Sequence, residues 1–190
     1  MQHVKTLVIA GMVLLVAEAG LAQDNALGLY FSDTEFTAET AQATIDPGVT
    51  LAAYVVLTGA TGSAVSGYEV NIACTADDFA VPLTNLVFGE NSGTNTNQLV
   101  QFFEPVPVAE GGTVLSFLVL ATSSTEYEEI SFGPADPSSL PDGVPVVDLG
   151  GGDLQPCSYP FGSPVVAKLN VGTVPVAARS WSQVRTLFGD

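Results

Sequence analysis

Carboxylates are the most numerous side chains in this sequence that could do chemistry. Asp and Glu total 20 against 4 Lys and Arg, so the 190-residue chain has a formal net charge of −16 at pH 7. Such residues suit a calcium site, which needs about six to eight oxygen ligands, or an acid pair that hydrolyses a glycosidic bond. The candidate calcium ligands are the acids of three short clusters: Asp77, Asp78, Glu126, Glu128, Asp148 and Asp153. No D-x-[DN]-x-[DN]-G loop accompanies them, so a solvated acidic surface is the favoured interpretation and calcium is the alternative.

Histidine, lysine and arginine are nearly absent, and this composition argues against most enzyme chemistry. The single histidine is His3, and no Lys or Arg occurs from residue 6 to residue 167. Catalysis by Ser-His-Asp or Cys-His needs an imidazole, and nucleic-acid binding needs cations that neutralise phosphates. The composition therefore predicts a non-enzyme that binds no nucleic acid. A carboxylate-pair glycosidase is the third-ranked alternative.

The sequence contains two cysteines, Cys74 and Cys157. An even cysteine count in a secreted chain favours a disulfide, so a Cys74–Cys157 bridge is predicted. The alternative is two separately buried thiols, which behave as small apolar side chains. No C-x-x-C motif is present, so the sequence indicates no redox role.

The first 22 residues are typical of a secretory signal peptide. Lys5 provides a positive start, Thr6–Ala17 is an apolar run, and small residues lead to Ala22, after which we expect cleavage. The run is shorter than the roughly 20 residues that span a membrane, and no later stretch is long enough. A retained anchor helix is the alternative. The sequence thus predicts a protein outside the cell or on its surface, with one domain over residues 23–171 and a tether and tail over residues 172–190.

Short apolar runs separated by turn residues extend from residue 26 to residue 171. In Val65–Cys74 the side chains alternate between an apolar and a polar face, as in a half-buried antiparallel strand. Thr113–Ala121 is apolar on both faces, so it is either a central strand or one whose outer face meets another surface. The nine candidate strands are Ala26–Ser32, Val49–Leu57, Val65–Cys74, Leu83–Phe88, Gln98–Phe103, Thr113–Ala121, Glu129–Gly133, Val144–Leu149 and Val165–Val171. This pattern predicts an all-β, immunoglobulin-like antiparallel β-sandwich of about nine strands.

Two tyrosines are candidates for binding a sugar ring. Tyr127 and Tyr159 lie near turns, where an exposed aromatic face could stack on a glycan. The alternative for both is packing on the domain's own surface. They carry the second-ranked prediction, a polysaccharide-binding module assisted by calcium.

The C-terminal tail differs in composition from the rest of the chain. Ser180 and Gln183 fit a helix-capping pair, and this capping pattern predicts a short C-terminal helix. The candidate docking residues combine an apolar stripe at helical spacing with one cation: Trp181, Val184, Arg185, Leu187 and Phe188. Three alternatives remain open for this segment: a helix packed back on the sandwich, an attachment tag, or a disordered end.

Two parts of the sequence resemble known groups of proteins. The turn Asp46–Val49, followed by a strand and then Val65–Val70 (VSGYEV), resembles cohesin-like and related carbohydrate-binding β-sandwich modules of secreted bacterial proteins. The tail resembles the S-[TS]-W-G-x-[VI]-K-x-[LM]-Y ending of uncharacterised secreted bacterial proteins. In that comparison Ser182 replaces a Gly, Arg185 a Lys and Phe188 a Tyr. The second resemblance implies secretion and a shared tail function.

The favoured prediction combines these observations. We expect a non-catalytic secreted β-sandwich that acts in extracellular assembly or adhesion, with filament formation as one form of assembly. Its partners are other copies of the chain or a surface protein. No cofactor is expected, with Ca²⁺ as the alternative.

Overall fold

In the part that the structure describes, the chain forms twelve β-strands and no helix. The structure is a computed structural model that describes residues 24–86 and 88–172. The strands are β1 (Ala26–Tyr30), β2 (Gln42–Ala43), β3 (Thr50–Thr58), β4 (Ala64–Cys74), β5 (Ala80–Asn85), β6 (Gly89–Asn91), β7 (Asn97–Pro107), β8 (Thr113–Ala121), β9 (Glu128–Gly133), β10 (Val146–Asp148), β11 (Leu154–Pro156) and β12 (Val165–Leu169). Each of the nine predicted strands overlaps one of these. The three additional strands, β2, β6 and β11, have only two or three residues, too few to show an alternating pattern.

Two sheets pack face to face, which confirms the predicted all-β sandwich. The four-stranded sheet has the order β1-β3-β8-β5. The eight-stranded sheet is built around β4, with β7 and then β6 on one side and β9 to β12 with β2 on the other. All strand pairs are antiparallel except the short parallel pair of β2 with β12.

Beside β4, two lines of the eight-stranded sheet are each made of two short strands separated by an insertion: β9 with β10, and β12 with β11. Glu69 of β4 pairs with β7 on one edge and with Val146 of β10 on the other, while Asn71 pairs with β7 and with Gly133 of β9. Because a strand has only two edges, β9 and β10 lie in line along the same edge of β4. Residues 134–145 therefore form an insertion within a single strand. Residues 157–164 form a second insertion of the same kind, between β11 and β12.

The first insertion, residues 134–145, is fastened to the outer face of the eight-stranded sheet. Ser139 donates hydrogen bonds to Glu69 through its backbone N–H and its hydroxyl. Asn97 donates to the carbonyl of Asp136 and accepts from its N–H, both at 2.8 Å. These contacts span β4 and β7, so this insertion covers part of that face.

The second insertion, residues 157–164, joins the two sheets. The N–H of Leu27 in β1 donates to the carbonyl of Ser158 (3.1 Å), and the N–H of Ser158 donates to Asn25 (3.2 Å). Gly28 is required here, because a Cβ at this position would lie 2.7 Å from Cγ of Pro160. One side of the sandwich is closed by these contacts.

A polar network crosses the otherwise apolar core. The hydroxyl of Tyr68 in β4 donates to Oε1 of Gln98 in β7 (2.6 Å) and is 2.7 Å from Oγ of Ser116 in β8. Because its one proton goes to Gln98, Ser116 is the donor in the second bond. Nε2 of Gln98 continues to Thr84 of β5. Burial raises the pKa of Tyr68. The network therefore links both sheets in one register.

The predicted Cys74–Cys157 disulfide is not formed, and both thiols are free in the structure. Cys157 lies opposite Pro145, the residue before β10, and Pro145 is level with Val70 of β4. Cys157 is therefore two strands, or about 10 Å, across the sheet from Val70. Cys74 lies four residues further along β4, about 13 Å away. A disulfide needs Cα atoms within roughly 7 Å. The alternative of two separate thiols is closer to the structure, in which Cys157 is buried and Cys74 is partly buried. Burial raises the pKa of Cys157 to about 12.

The predicted signal peptide and the predicted helix of the tail lie outside the described residues. The candidate docking residues Trp181, Val184, Arg185, Leu187 and Phe188 belong to that part. Among the described residues, none belongs to a helix long and apolar enough to cross a membrane.

Candidate interaction surface

Asp78 is one of two predicted acidic residues whose carboxylate oxygens both accept hydrogen bonds. Its carboxylate accepts a hydrogen bond from Oγ1 of Thr122 (2.8 Å) and another from the backbone N–H of Ser123. The hydrogen bonds from Ser123 and Thr122 lower the pKa of Asp78 to about 2. This carboxylate fastens the segment after β8 to the turn after β4, which is a structural role.

Acid is expected to weaken this fastening. A carboxyl whose pKa is lower in the folded than in the unfolded state stabilises the fold above the unfolded value and loses that contribution as pH falls. For Asp78 the window runs from about pH 4 down to about pH 2. The urea midpoint of Asp78→Asn should therefore fall less across this window than that of Asp77→Asn, which removes the same charge from the exposed neighbouring residue. Parallel losses in the two variants would contradict the assignment.

Glu128 is a buried carboxylate at the start of β9. It is 8% exposed and accepts hydrogen bonds from Oγ of Ser124 (2.8 Å) and from Oγ1 of Thr75. Two hydroxyl groups thus occupy both of its oxygens. These hydrogen bonds hold the start of β9 beside the turn after β4, and both carboxylate oxygens of Glu128 have a partner.

The remaining predicted calcium ligands lie elsewhere. Asp148 and Asp153 flank the β10–β11 turn at the opposite end of β4, where they bond to the N–H of Gly150 (2.8 Å) and to Gln155 (2.6 Å). Asp77 and Glu126 are exposed. Within residues 24–86 and 88–172, no three acidic, histidine or cysteine side chains are close enough to hold a metal ion.

Tyr127 and Tyr159 do not form a shared aromatic surface. The hydroxyl of Tyr127 donates to Glu129 (2.6 Å), a contact that raises the pKa of Tyr127. Tyr159 lies in the second insertion, where it packs against the core. The two rings therefore belong to separate parts of the molecule, and no described contact places them on one sugar-binding face.

The outer face of the four-stranded sheet is the most unusual surface of the protein. None of the residues in β1, β3, β5 and β8 is charged, although the chain has a net charge of −16. Alternation places Leu83, Val119 and Ala52 side by side across three strands, and Phe117 beside Tyr54 in the adjacent row. We call these five residues the uncharged face.

The uncharged face is open to solvent, while the other end of the same sheet is covered. Leu83 is 50% exposed, and Ala52 is also exposed. At the covered end, Phe36 packs on Tyr30 with ring centroids 5.4 Å apart. Gly112 allows this approach, since a Cβ there would lie 2.5 Å from the Phe36 ring. One end of this outer sheet surface is thus covered by the chain itself and the other is not.

A second apolar surface lies at the far edge of the eight-stranded sheet. Phe88 and Phe103 are 64% and 76% exposed, and the N–H of Phe103 donates to the carbonyl of Phe88 (2.7 Å). A large bulge in β7 places four residues, 102–105, opposite the single residue Ser66 of β4. The bulge makes Phe103 and Glu104 protrude. We call this surface the phenylalanine pair.

Sequence reasoning found one strand of these surfaces and missed the rest. Thr113–Ala121, singled out because both of its faces are apolar, is β8 at the centre of the four-stranded sheet. The available signal for the uncharged face was the lack of any charge in four of the strand segments. The phenylalanine pair had no comparable signal, because the two residues are 15 positions apart and meet only through the register of β6 and β7.

Comparison with known proteins shows likeness to solved structures only. No protein-family model and no curated protein sequence matches the chain. Solved structures similar to it include cohesin modules. One, from a family 33 glycoside hydrolase of Clostridium perfringens, is 13% identical with a TM-score of 0.48, covering 71% of this chain and 90% of that one.

Two further cohesins are similar to the chain. The sixth cohesin of Acetivibrio cellulolyticus scaffoldin B, solved with a dockerin, is 15% identical with a TM-score of 0.43, covering 77% of this chain and 94% of the other. The third ScaB cohesin of R. flavefaciens, also solved with a dockerin, is 11% identical with a TM-score of 0.40, covering 79% and 97%.

Proposed function

We propose that this protein is a non-catalytic, secreted β-sandwich that assembles with other copies of itself through the uncharged face. One observation carries the proposal: a chain with net charge −16 presents a sheet whose four strands contain no charged residue. Leu83 and Ala52 are exposed on that sheet, and Tyr54, Phe117 and Val119 are half-buried. Apolar surfaces of this kind favour protein–protein contact.

Electrostatics favours this face over the rest of the surface. Copies with the same strong negative charge repel one another, and charges placed directly against like charges destabilise a contact. The eight-stranded sheet includes acids such as Glu69, Glu90 and Glu104, whereas the uncharged face has none. Two copies therefore meet at the lowest electrostatic cost through the uncharged face.

The proposed location outside the cell rests on the signal-like sequence of residues 1–22. The absence of catalysis rests on composition, since the sequence has one histidine, His3, within that segment. The glycan-binding and calcium-assisted alternatives have no described site behind them, and we do not propose them.

Self-association is expected to depend on the uncharged face and to respond to salt. For the chain beginning at Gln23, analytical ultracentrifugation should show concentration-dependent association that strengthens as ionic strength rises, because salt screens the repulsion between copies. Leu83→Glu and Ala52→Glu place a carboxylate in the contact and should each abolish the part of the association that strengthens with salt. Both positions are exposed, so the fold should tolerate either change.

A matched control adds the same charge elsewhere. Thr125→Glu adds a carboxylate to an exposed loop after β8, outside the uncharged face, and should leave association unchanged. Association of Leu83→Glu and Ala52→Glu that strengthens with salt as it does in the wild type would overturn the proposal. A chain that stays monomeric at every concentration and salt would overturn it too.

A further inference from the structure

The phenylalanine pair has the shape and the charge of a docking site for an apolar, cationic segment. The pair borders a groove of about 490 Å³, lined by Phe88, Phe103, Glu104, Pro105, Val106 and Pro107. Glu104 lies on the bulge beside Phe103, and Glu90 lies two residues from Phe88 on β6. Two exposed rings are therefore flanked by two exposed carboxylates.

The tail of the chain has the complementary composition. Trp181 and the other apolar tail residues recur at helical spacing, and Arg179 and Arg185 flank them. These are two of the four cations in the whole sequence. Apolar residues bordered by arginines match phenylalanines bordered by glutamates, both in hydrophobic burial and in charge.

A chain could place its tail on its own phenylalanine pair only with the linking residues almost fully extended. The described chain ends at residue 172, just after β12, whose last residue Leu169 pairs beyond the Cys74 end of β4. The phenylalanine pair lies at the level of Ser66. It is about 33 Å from Leu169 along the strand direction and three strands across the sheet, which makes a separation of about 36 Å. Twelve residues link Leu169 to Trp181 and would span about 41 Å fully extended, but the first three form a turn, so the tail of a second copy reaches the phenylalanine pair with far less constraint.

We infer that residues 179–190 of one copy dock on the phenylalanine pair of a second copy. This contact joins two different surfaces, the tail and the pair, so it is heterologous and repeats from copy to copy into open chains unless it closes into a ring. It goes beyond the proposed function by adding a second interface with its own occupant. It rests on that function only in taking assembly to be the role of the protein.

Mixing two half-defective variants tests the inference. Both carry Leu83→Glu, which removes association through the uncharged face. The first also carries Phe103→Ser, so it keeps its tail and lacks the docking site; the second also carries Trp181→Ser, so it keeps the site and lacks the tail. Each should sediment as a monomer, their mixture should sediment as a one-to-one dimer, and the Leu83→Glu parent should form longer chains.

A charge swap and a salt series make the test specific. Glu104→Lys in the Leu83→Glu parent should weaken chain formation, and adding Arg185→Glu should restore it. A labelled peptide of residues 179–190 should bind the Leu83→Glu, Trp181→Ser protein about tenfold more tightly than the same protein with Phe103→Ser added. Peptide binding should weaken as salt rises, opposite to association through the uncharged face.

The outcomes separate this inference from the proposed function. A mixture that stays monomeric, a parent that stays monomeric, or a peptide that binds equally with and without Phe103 would overturn the tail contact. None of these results depends on whether copies of the wild type meet through the uncharged face. Conversely, an unaltered face contact in Leu83→Glu would overturn only the proposed function.

Discussion

Replacing Asn170 by alanine is expected to lower the free energy of unfolding by about 3 kcal/mol. Asn170 follows β12, is 1% exposed and has a φ of 56°. Its Oδ1 accepts the N–H of Ile45 (3.0 Å), and its Nδ2 donates to the carbonyls of Ser124 (3.2 Å) and Glu126 (3.1 Å). One side chain thus bonds two loops to the end of β12. Alanine would leave buried backbone groups without these partners, and urea denaturation measures the loss.

Two further substitutions at this position separate the causes. Asn170→Gly removes the same hydrogen bonds but adopts a positive φ freely, so it should be more stable than Asn170→Ala by about 1 kcal/mol. Asn170→Asp keeps the acceptor for Ile45 and replaces the donor with a carboxylate facing two carbonyls. An Asn170→Ala protein as stable as wild type would show that these three bonds contribute nothing.

Removing the hydroxyl of Tyr68 is expected to cost about 2 kcal/mol. Tyr68→Phe keeps the ring but deprives Gln98 and Ser116, which are 0% and 4% exposed, of their shared partner. Buried polar groups left unpaired cost more than the bond itself contributes. The measurement is the free energy of unfolding by urea.

A double-mutant cycle distinguishes a polar network from simple packing. Ser116→Ala removes one of the groups that Tyr68→Phe leaves unpaired, so the double variant should lose clearly less stability than the two single variants together. Strictly additive losses would indicate that the hydroxyls of Tyr68 and Ser116 are not coupled. That result would contradict the conclusion that the network fixes the alignment of the two sheets.

Strand positions followed from the sequence because alternation is a local property. Val65–Cys74 shows its two faces without reference to any partner, and β4 spans nearly the same residues. The turn at Asp46-Pro47-Gly48 is equally local, and the N–H of Val49 donates to Asp46 with Gly48 at a φ of 77°. Proline and glycine set such turns by their own conformational limits.

The pairing between strands could not be predicted from the sequence in the same way. The predicted disulfide failed because cysteine counting does not say how many strands separate two cysteines. Asp78, proposed as a calcium ligand, instead accepts hydrogen bonds from Thr122 and Ser123 across a gap of more than 40 residues. Such partners become known only when register is known.

Composition and local pattern by themselves determined the all-β class, the places of nine strands, the lack of common catalytic residue types and the excess of negative charge. Only the tertiary structure decided which apolar strands share an uncharged sheet, that residues 134–145 and 157–164 interrupt two strands at one level, and that Phe88 meets Phe103. The physical reason is that alternation and turn preference act within a few residues, whereas sheet order and register depend on the burial of side chains that lie far apart in sequence.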